Sequence, residues 1–480
     1  MSIGLQAMFG LYLLVLVAIG LYFFFTEETQ KLSNYLLAGR DVGTWPIAIS
    51  EVSSVASGWT FFAWVGVGFA VGLSALWFSL TMIILVVFMY RYVASPLRRH
   101  SEELGTITVT DHIATYFKND ALGPTIRVVV TVSVVMFMIS YIGAQIIAVG
   151  QAMDTGLGID YTTAILVGGI AVGVYTMLGG FNASIWTDVF QGVLIFVAVL
   201  ALPLLMLVEI GGWSAFLSEA NAANPDLLSM TAGDAGTALT IGVLAWVTFA
   251  FGTIGQPHSL MRFQAIRSDS IVSKASVIAV SFQSLRLTIP LFIGIAGRIL
   301  YSDIGNPENV AMNAIVDLFP PIVAGILLAA IVSAILSTSD SMLLVTSSDI
   351  TRFYEERINP DASEATLIAL GRLTVATVAV LGIALAWVRP GTIFEIIEFA
   401  YVGLGVSIGL PLLFILFWKG TTAEGVLAAI VVGMASSIVN LYYAPEYFPI
   451  FPWPITVAVI VGVSLATTKS GAKTTTTLES

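Results

Sequence analysis

Runs of about twenty apolar residues recur from one end of this chain to the other, and they restrict its architecture more than any other feature. Examples are ALWFSLTMIILVVFMYRYV at 75–93, VVVTVSVVMFMISYIGAQIIAVG at 128–150 and VLIFVAVLALPLLMLV at 193–208. Segments of this length and character cross the hydrocarbon core of a bilayer as helices, with their backbone polar groups bonded internally. The expected architecture is therefore an all-α polytopic membrane protein, with a lipid bilayer as its first partner. Of the 480 residues, 57% are hydrophobic and only 10% charged, against roughly 25% charged in a soluble domain.

Thirteen spans are expected, near 3–25, 44–66, 70–93, 124–150, 161–178, 186–208, 236–254, 276–298, 318–346, 369–388, 394–417, 422–442 and 452–467. The opening stretch MSIGLQAMFGLYLLVLVAIGLYFFF lacks the basic region of a signal peptide and reads as the first span. Lysine and arginine orient the bundle. With the N-terminus outside, Lys31, Arg40, Arg91, Arg98, Arg99, Lys118, Arg262, Arg267, Lys274, Arg352, Arg357, Lys419, Lys469 and Lys473 all fall inside. Arg389 and Arg298 are left outside. That bias places the N-terminus out and the C-terminus in, across a prokaryotic cytoplasmic membrane.

Several chemistries are excluded early. The chain has no cysteine, which removes disulfides, thiolate metal sites and cysteine nucleophiles. Its three histidines, His100, His112 and His258, are too dispersed in sequence to indicate a metal centre. A net charge of −11 argues against a nucleic-acid partner. Neither a nucleophile–base pair nor a soluble output domain is visible, so an enzyme or a membrane sensor is not expected. The polar tail KSGAKTTTTLES reads as disordered.

Against this apolar background, SEVSSVASGW at 50–59 places Glu51, four serines and Gly58 inside a span. Charges at membrane depth normally face the bundle interior or a wet cavity. Small residues also let helices approach closely, so packing is one reading. The other is a broken helix whose freed carbonyls and hydroxyls line an ion site. A second polar run, SAILSTSDSMLLVTSSD at 333–349, sets Ser337, Thr338 and Asp340 in the ninth span. Those hydroxyls either bond back to their own helix or, with the first run, hold a hard cation between two spans.

Other marks are weaker. LGGFNASIWTDVFQG (178–192) carries Asp188 and Gln191 at a short inner turn. In FGTIGQPHSLMRF (251–263), Gly252, Gly255 and Pro257 should interrupt the seventh span. Glycines 403, 405 and 409 beside Phe399 and Tyr401 serve either packing or a site. Arg286 is explained by a long stem reaching the interface, Asp349 by an interfacial position beside Arg352, and Glu395 and Glu398 by the outer end of a helix. Trp59 is read as a cover for a solute or as an interfacial anchor.

On these residues the chain resembles the sodium:solute symporter family, and its proline branch most closely. The likeness rests on YLLAGRDVG (35–43), SGWTFF (57–62), LGGFNASIWTDVFQ (178–191), FGTIGQPHSLMRF (251–263), AGILLAAIVSAILSTSDSMLLVTSSDITR (324–352) and YVGLGVSIGLPLLF (401–414). It implies a five-plus-five inverted-repeat transporter fold with a discontinuous first core helix. Residues 1–43 then form an extra helix and inner loop, 44–210 the first repeat, 211–418 the second, 419–468 two further helices and 469–480 a tail. Sodium is implied as the coupling ion, held by backbone oxygens of Ser53, Ala56 and Ala334 and the hydroxyls of Ser337 and Thr338. Asp188 is implied on the ion's exit path. A small organic solute would sit by Ser57, Gly58 and Trp59, with Trp246 and Tyr401 on the far wall. Glu51, Gln191, Pro257 and Asp340 are further candidates.

The resemblance implies sodium-coupled uptake of L-proline by alternating access. Another amino acid, a monocarboxylate, pantothenate or a sugar are the alternative solutes, and a cation channel is a distant alternative. In one place the chain departs from the proline branch: Val55 stands where that branch carries an aspartate.

Overall fold

The computed structural model describes residues 3–26, 42–443 and 449–468. Lys31, Arg40, most of YLLAGRDVG, the acidic stretch around 447, Lys469, Lys473 and the polar tail lie outside the described residues. Among the described residues, ten helices are long and apolar enough to cross a membrane. The apolar helices Ile3–Thr26 and Pro452–Thr467 stand at the two ends. The longest apolar stretch, Thr44–Leu104, contains two of the expected spans. Gly72 turns it at φ +58°, and a Cβ there would lie 2.1 Å from the Leu227 carbonyl oxygen. Both ends return to one place: Val42 pairs with Ile266, and Arg98 donates to the Ile266 carbonyl at 2.8 Å. Every one of the thirteen expected spans thus has its helix.

The fold is the expected five-plus-five transporter architecture, and the first helix of each half is interrupted midway. In the first half, Thr44–Gly58 is broken at Ser57 (φ 36°, ψ 172°). A π-helical turn, Trp59–Ala63, follows before the helix resumes as Trp64–Val71. In the second half, Gly236–Phe251 gives way to a 3₁₀ turn at Gly252–Gly255 and an extended Gln256. Pro257 then opens the helix Pro257–Gln264, at a position where its missing N–H costs nothing.

The two glycines in that second break are there for contact. A Cβ on Gly252 would lie 2.7 Å from the Tyr401 carbonyl oxygen, and one on Gly255 would lie 2.1 Å from that of Leu404. The π turn Gly405–Gly409 sits against the same break. Packing therefore accounts for the glycine-rich stretch at 403–409.

At the centre runs Pro321–Arg357, buried along most of its length. It packs on Thr44–Gly58, Gly123–Leu157 and the kinked Tyr161–Ile210, whose bend lies at Gly180 (φ 63°). Most of its hydroxyls bond back to their own helix: Ser333 to Ala329, Ser339 to Ile335, Thr346 to Met342 and Ser348 to Leu344, each at 2.7–2.8 Å. Asp349 is fully buried and accepts from Thr110, next to the Asp111 that pairs with Arg352. Glu395 does mark a helix start, in a capping box with Thr392.

An ionic cluster pins one end of this helix. Arg352 Nε lies 3.2 Å from Asp111 Oδ2, and Arg127 Nε lies 3.2 Å from Glu356 Oε2. Asp111 belongs to the short helix Val109–Tyr116 and is fully buried. Burial pushes its carboxyl up, but the charges of Arg352 and Arg127 outweigh that and hold it below the usual carboxylate range.

Two predictions follow from this packing. Gly255→Ala should destabilise the protein by about 1–3 kcal/mol through overpacking, whereas Gly242→Ala, where a Cβ meets nothing within 4 Å, should be neutral. Thermal unfolding in detergent compares the two, and equal midpoints would mean that the second break is not tightly packed. For Asp111, the folded state holds its proton less tightly than the unfolded chain. Its contribution is therefore complete above the ordinary carboxylate range and is lost as pH falls through the lowered folded value. Asp111→Asn should lower stability at neutral pH and flatten that acid limb. An unchanged pH profile would show that the cluster contributes nothing.

Candidate functional site around the two broken helices

A break in mid-bilayer frees backbone groups that no water reaches, so the protein must satisfy them itself. Here side chains from two other helices do so. The Ser57 N–H donates to Thr338 Oγ1 at 3.0 Å. The Gly58 N–H donates to Gln145 Oε1 at 2.8 Å, and the Trp59 N–H returns to Ser57 Oγ at 3.1 Å. Gly58 is needed because the Ala148 Cβ stands 2.5 Å from where its own Cβ would be.

Four of the five oxygens expected around sodium come together at this break. Ser337 Oγ donates to the Ser53 carbonyl at 2.9 Å and lies 3.1 Å from the Ala334 carbonyl. Thr338 Oγ1 donates to the same Ala334 carbonyl at 3.1 Å. The fifth, the Ala56 carbonyl, accepts from Thr60 one turn along. Ser337 and Thr338 are thus the two hydroxyls of the polar run that reach across to the other helix. All these oxygens are neutral, and at present they bond to one another and to the freed backbone.

Beside the break lies a cavity of about 20 Å³, lined by Val55, Trp59, Phe78, Met82, Tyr141, Phe249, Arg286, Ile397 and Tyr401. It has room for a single water. Trp59 and Tyr401 line it as expected. Ser57 and Gly58 shape it from behind, with their amides already engaged. Trp246 stands one layer out, edge-on to Trp64 at 5.8 Å, and Trp64 in turn stacks on Trp59 at 4.5 Å. The far wall is formed instead by Phe249, which meets Tyr401 at 5.6 Å and Phe78 at 4.7 Å.

On the side where residues 42 and 98 lie, polar groups cross-link the broken helices. Arg262 is fully buried and spans the gap. Its guanidinium donates to Asp188 Oδ2 at 2.7 Å, Ser50 Oγ at 2.9 Å, Ser341 Oγ at 2.8 Å and the His258 carbonyl at 2.8 Å. Ser50 donates to the same Asp188 oxygen at 2.6 Å. Glu51 accepts from Ser259 at 3.0 Å, Asp340 from Ser184 at 3.1 Å, and Gln191 donates to Tyr12 at 2.9 Å.

Sequence reasoning counted Arg262 as an inner surface charge and assigned no role to Gln145, Tyr141 or Thr60. The proximity of Arg262 to the GQPH turn was the available signal for it. Gln145, the one amide side chain deep in an otherwise apolar run, carried its own signal.

Comparison with known proteins agrees with this architecture. The model of the sodium:solute symporter family matches residues 35–433. The high-affinity proline transporter PutP of Bacillus subtilis is 31% identical, covering 87% of this chain and 88% of that protein. A sodium/proline symporter of Staphylococcus aureus is also 31% identical, over 97% of this chain and 93% of that protein. Among solved structures, a Na⁺-coupled sialic acid symporter in a substrate-bound outward-open state superposes with a TM-score of 0.82 at 16% identity, over 97% of this chain and 98% of that one. MhsT in complex with L-phenylalanine gives a TM-score of 0.56, also at 16% identity, over 88% and 98%. At such identities the structural likeness speaks to the fold alone. The chain belongs to the sodium:solute symporter family: it is a multi-span, sodium-coupled transporter of small organic solutes and not an enzyme.

Proposed function

We propose that this protein takes up a small organic solute, with L-proline the first candidate, by symport with sodium through alternating access. The observation that carries the reading is the convergence of Ser337 Oγ and Thr338 Oγ1 on the backbone at residues 53–57. Sodium, as a transported substrate, would take the oxygens of Ser53, Ala56, Ala334, Ser337 and Thr338. By doing so it would clamp the first broken helix to Pro321–Arg357, in the packing that offers the cavity to the solute. Trp59 and Tyr401 would face the solute, with Ser57 and Gly58 fixing the bend and Trp246 supporting Trp59 through Trp64.

Release to the inside requires that the Arg262 cross-link open. Asp188 is then free to draw the ion out, which supports its assignment to the exit path. Glu51, Gln191, Pro257 and Asp340 act in this reading as parts of that inner closure or of the breaks. The driving force is the sodium gradient together with the membrane potential, worth about 2.3 kcal/mol per charge per 100 mV. A channel fits less well, because the cavity has room for a single water and the Arg262–Asp188 contact cross-links the broken helices on one side.

Orientation and boundaries follow from the same reading. The N-terminus lies outside and the C-terminus inside a prokaryotic cytoplasmic membrane, with 44–210 and 211–418 as the inverted repeats. In support, Arg98, Arg99, Arg267 and Arg352 gather at one end of the bundle. Val55 on the cavity wall keeps the alternative solutes open: another amino acid, a monocarboxylate, pantothenate or a sugar.

Purified protein in sealed liposomes tests the proposal. A sodium gradient should drive labelled proline uptake where potassium and proton gradients do not. Thr338→Ala should raise the sodium concentration for half-maximal uptake by about tenfold to a hundredfold, the effect of losing a ligand worth ~1.5–3 kcal/mol to a charged group. Uptake indifferent to sodium, or an unshifted sodium dependence in the variant, would overturn it.

A further inference from the structure

The largest buried cations of the bundle are Arg127, Arg262 and Arg286. Arg262 has Asp188 at 2.7 Å, and Arg127 has Glu356 at 3.2 Å. Arg286 is different. It is 2% exposed, so its stem does not reach the interface as the sequence led us to expect. Its guanidinium is held by two neutral groups, Gln283 Oε1 at 3.1 Å and Thr60 Oγ1 at 2.8 Å. Among the described residues no carboxylate lies within ion-pairing distance of it. The charge of Glu51 reaches Arg286 through space, but that carboxylate accepts from Ser259, is shared with Arg262 and is not part of the cavity wall.

A buried guanidinium with no carboxylate in direct contact is expensive, and the cost falls when an anion pairs with it. Arg286 lines the cavity beside the break, so an anion arriving there is the solute itself. The planar fork of a guanidinium matches a carboxylate in shape as well as charge. The remaining wall is aromatic or aliphatic: Trp59, Phe78, Phe249 and Tyr401 with Val55, Met82, Tyr141 and Ile397. None of these is an acid, so nothing on the wall forms an ion pair with an ammonium group.

We propose that Arg286 binds the carboxylate of the transported solute, and that the site selects small monocarboxylates with an apolar body without requiring an amine. This rests on reading the cavity as the solute site. Thr60 accepts from Arg286 and donates to the Ala56 carbonyl. The carboxylate-binding group and one of the proposed sodium oxygens are therefore two hydrogen bonds apart. The solute's negative charge would face Arg286 and sodium together.

The experiment uses the full-length protein in sealed liposomes under a sodium gradient. Labelled proline uptake is competed with cyclopentanecarboxylate, which keeps the ring and the carboxylate, and with pyrrolidine and prolinamide, which lack the carboxylate. Sodium-dependent thermal stabilisation by the same four compounds provides a second readout for the case in which proline itself is not carried. Cyclopentanecarboxylate should act within about tenfold of proline, and the other two should be ineffective at hundredfold excess.

Arg286→Gln should raise the half-saturating carboxylate concentration at least about thirtyfold, as for removal of one partner of a buried charge pair. Stabilisation by sodium alone should persist, and Arg286→Lys should recover part of the loss. Competition by pyrrolidine equal to that by cyclopentanecarboxylate, or an Arg286→Gln half-saturation within twofold of the unaltered protein, overturns the proposal while sodium coupling stands. Should Arg286→Gln fail to fold, the competition series on the unaltered protein decides. Absence of any sodium dependence in the unaltered protein overturns the symport reading and this proposal with it.

Discussion

Backbone groups released in the middle of a bilayer have no water to bond, and that constraint organises this molecule. The kink at Ser57 could not exist in isolation. It persists because Thr338 and Gln145, on two different helices, receive the N–H groups of Ser57 and Gly58. The dependence runs both ways. Thr338 keeps the bond to the carbonyl four residues back that Ser333 and Ser339 also make, while accepting from Ser57, and Ser337 turns to the Ala334 and Ser53 carbonyls. A conformational step that moves the first helix relative to Pro321–Arg357 must therefore break these bonds or supply a substitute for them. A cation among the same oxygens is such a substitute, which is why an ion can bias the packing of the two helices.

The charged groups form a second layer of the same logic. Asp188 Oδ2 and Arg262 meet in a short contact that also recruits Ser50 and Ser341. A pair of this kind gives little net stability, because desolvation offsets its Coulombic gain, but removing either member is costly. It behaves as a closure whose opening requires compensation. Asp111, Arg127, Arg352 and Glu356 do the corresponding work at the end of the central helix, away from the cavity. The two clusters share only the helix Pro321–Arg357, which each ties to a different set of neighbours.

What the sequence revealed follows from how local each signal is. Twenty-residue apolar runs are local, and every one became a helix. The helix break was recoverable because Ser53, Ser57 and Gly58 crowd into one decade of residues, and Pro257 with Gly252 and Gly255 marked the second break equally well. Partners drawn from distant segments were harder to see. Gln145 and Thr60 acquire their roles only when helices more than eighty residues apart are superposed. Arg286 was misread for the opposite reason: a long cationic stem has a ready local explanation, and only the bundle shows that the interface is out of its reach. Trp246 was placed one layer too close, since the distance from the cavity to Trp59, Trp64 and Trp246 in turn is set by stacking that no sequence spacing records.

The exchange of a charged wall residue for Val55 takes its meaning from Arg286. An acid at position 55 would line the same cavity as the guanidinium and offer it an internal counter-ion. With valine there, the guanidinium keeps only neutral groups in direct contact, and in the proposed cycle an entering anion would pair with it. Sodium at the proposed oxygens would add to that attraction. Binding of ion and solute would then be mutually favourable through charge as well as through the Thr60–Ala56 hydrogen bond, and linkage makes any such coupling equal in both directions. Cotransport in this chain can thus rest on one oriented cation and one missing acid, without a dedicated group for an amine.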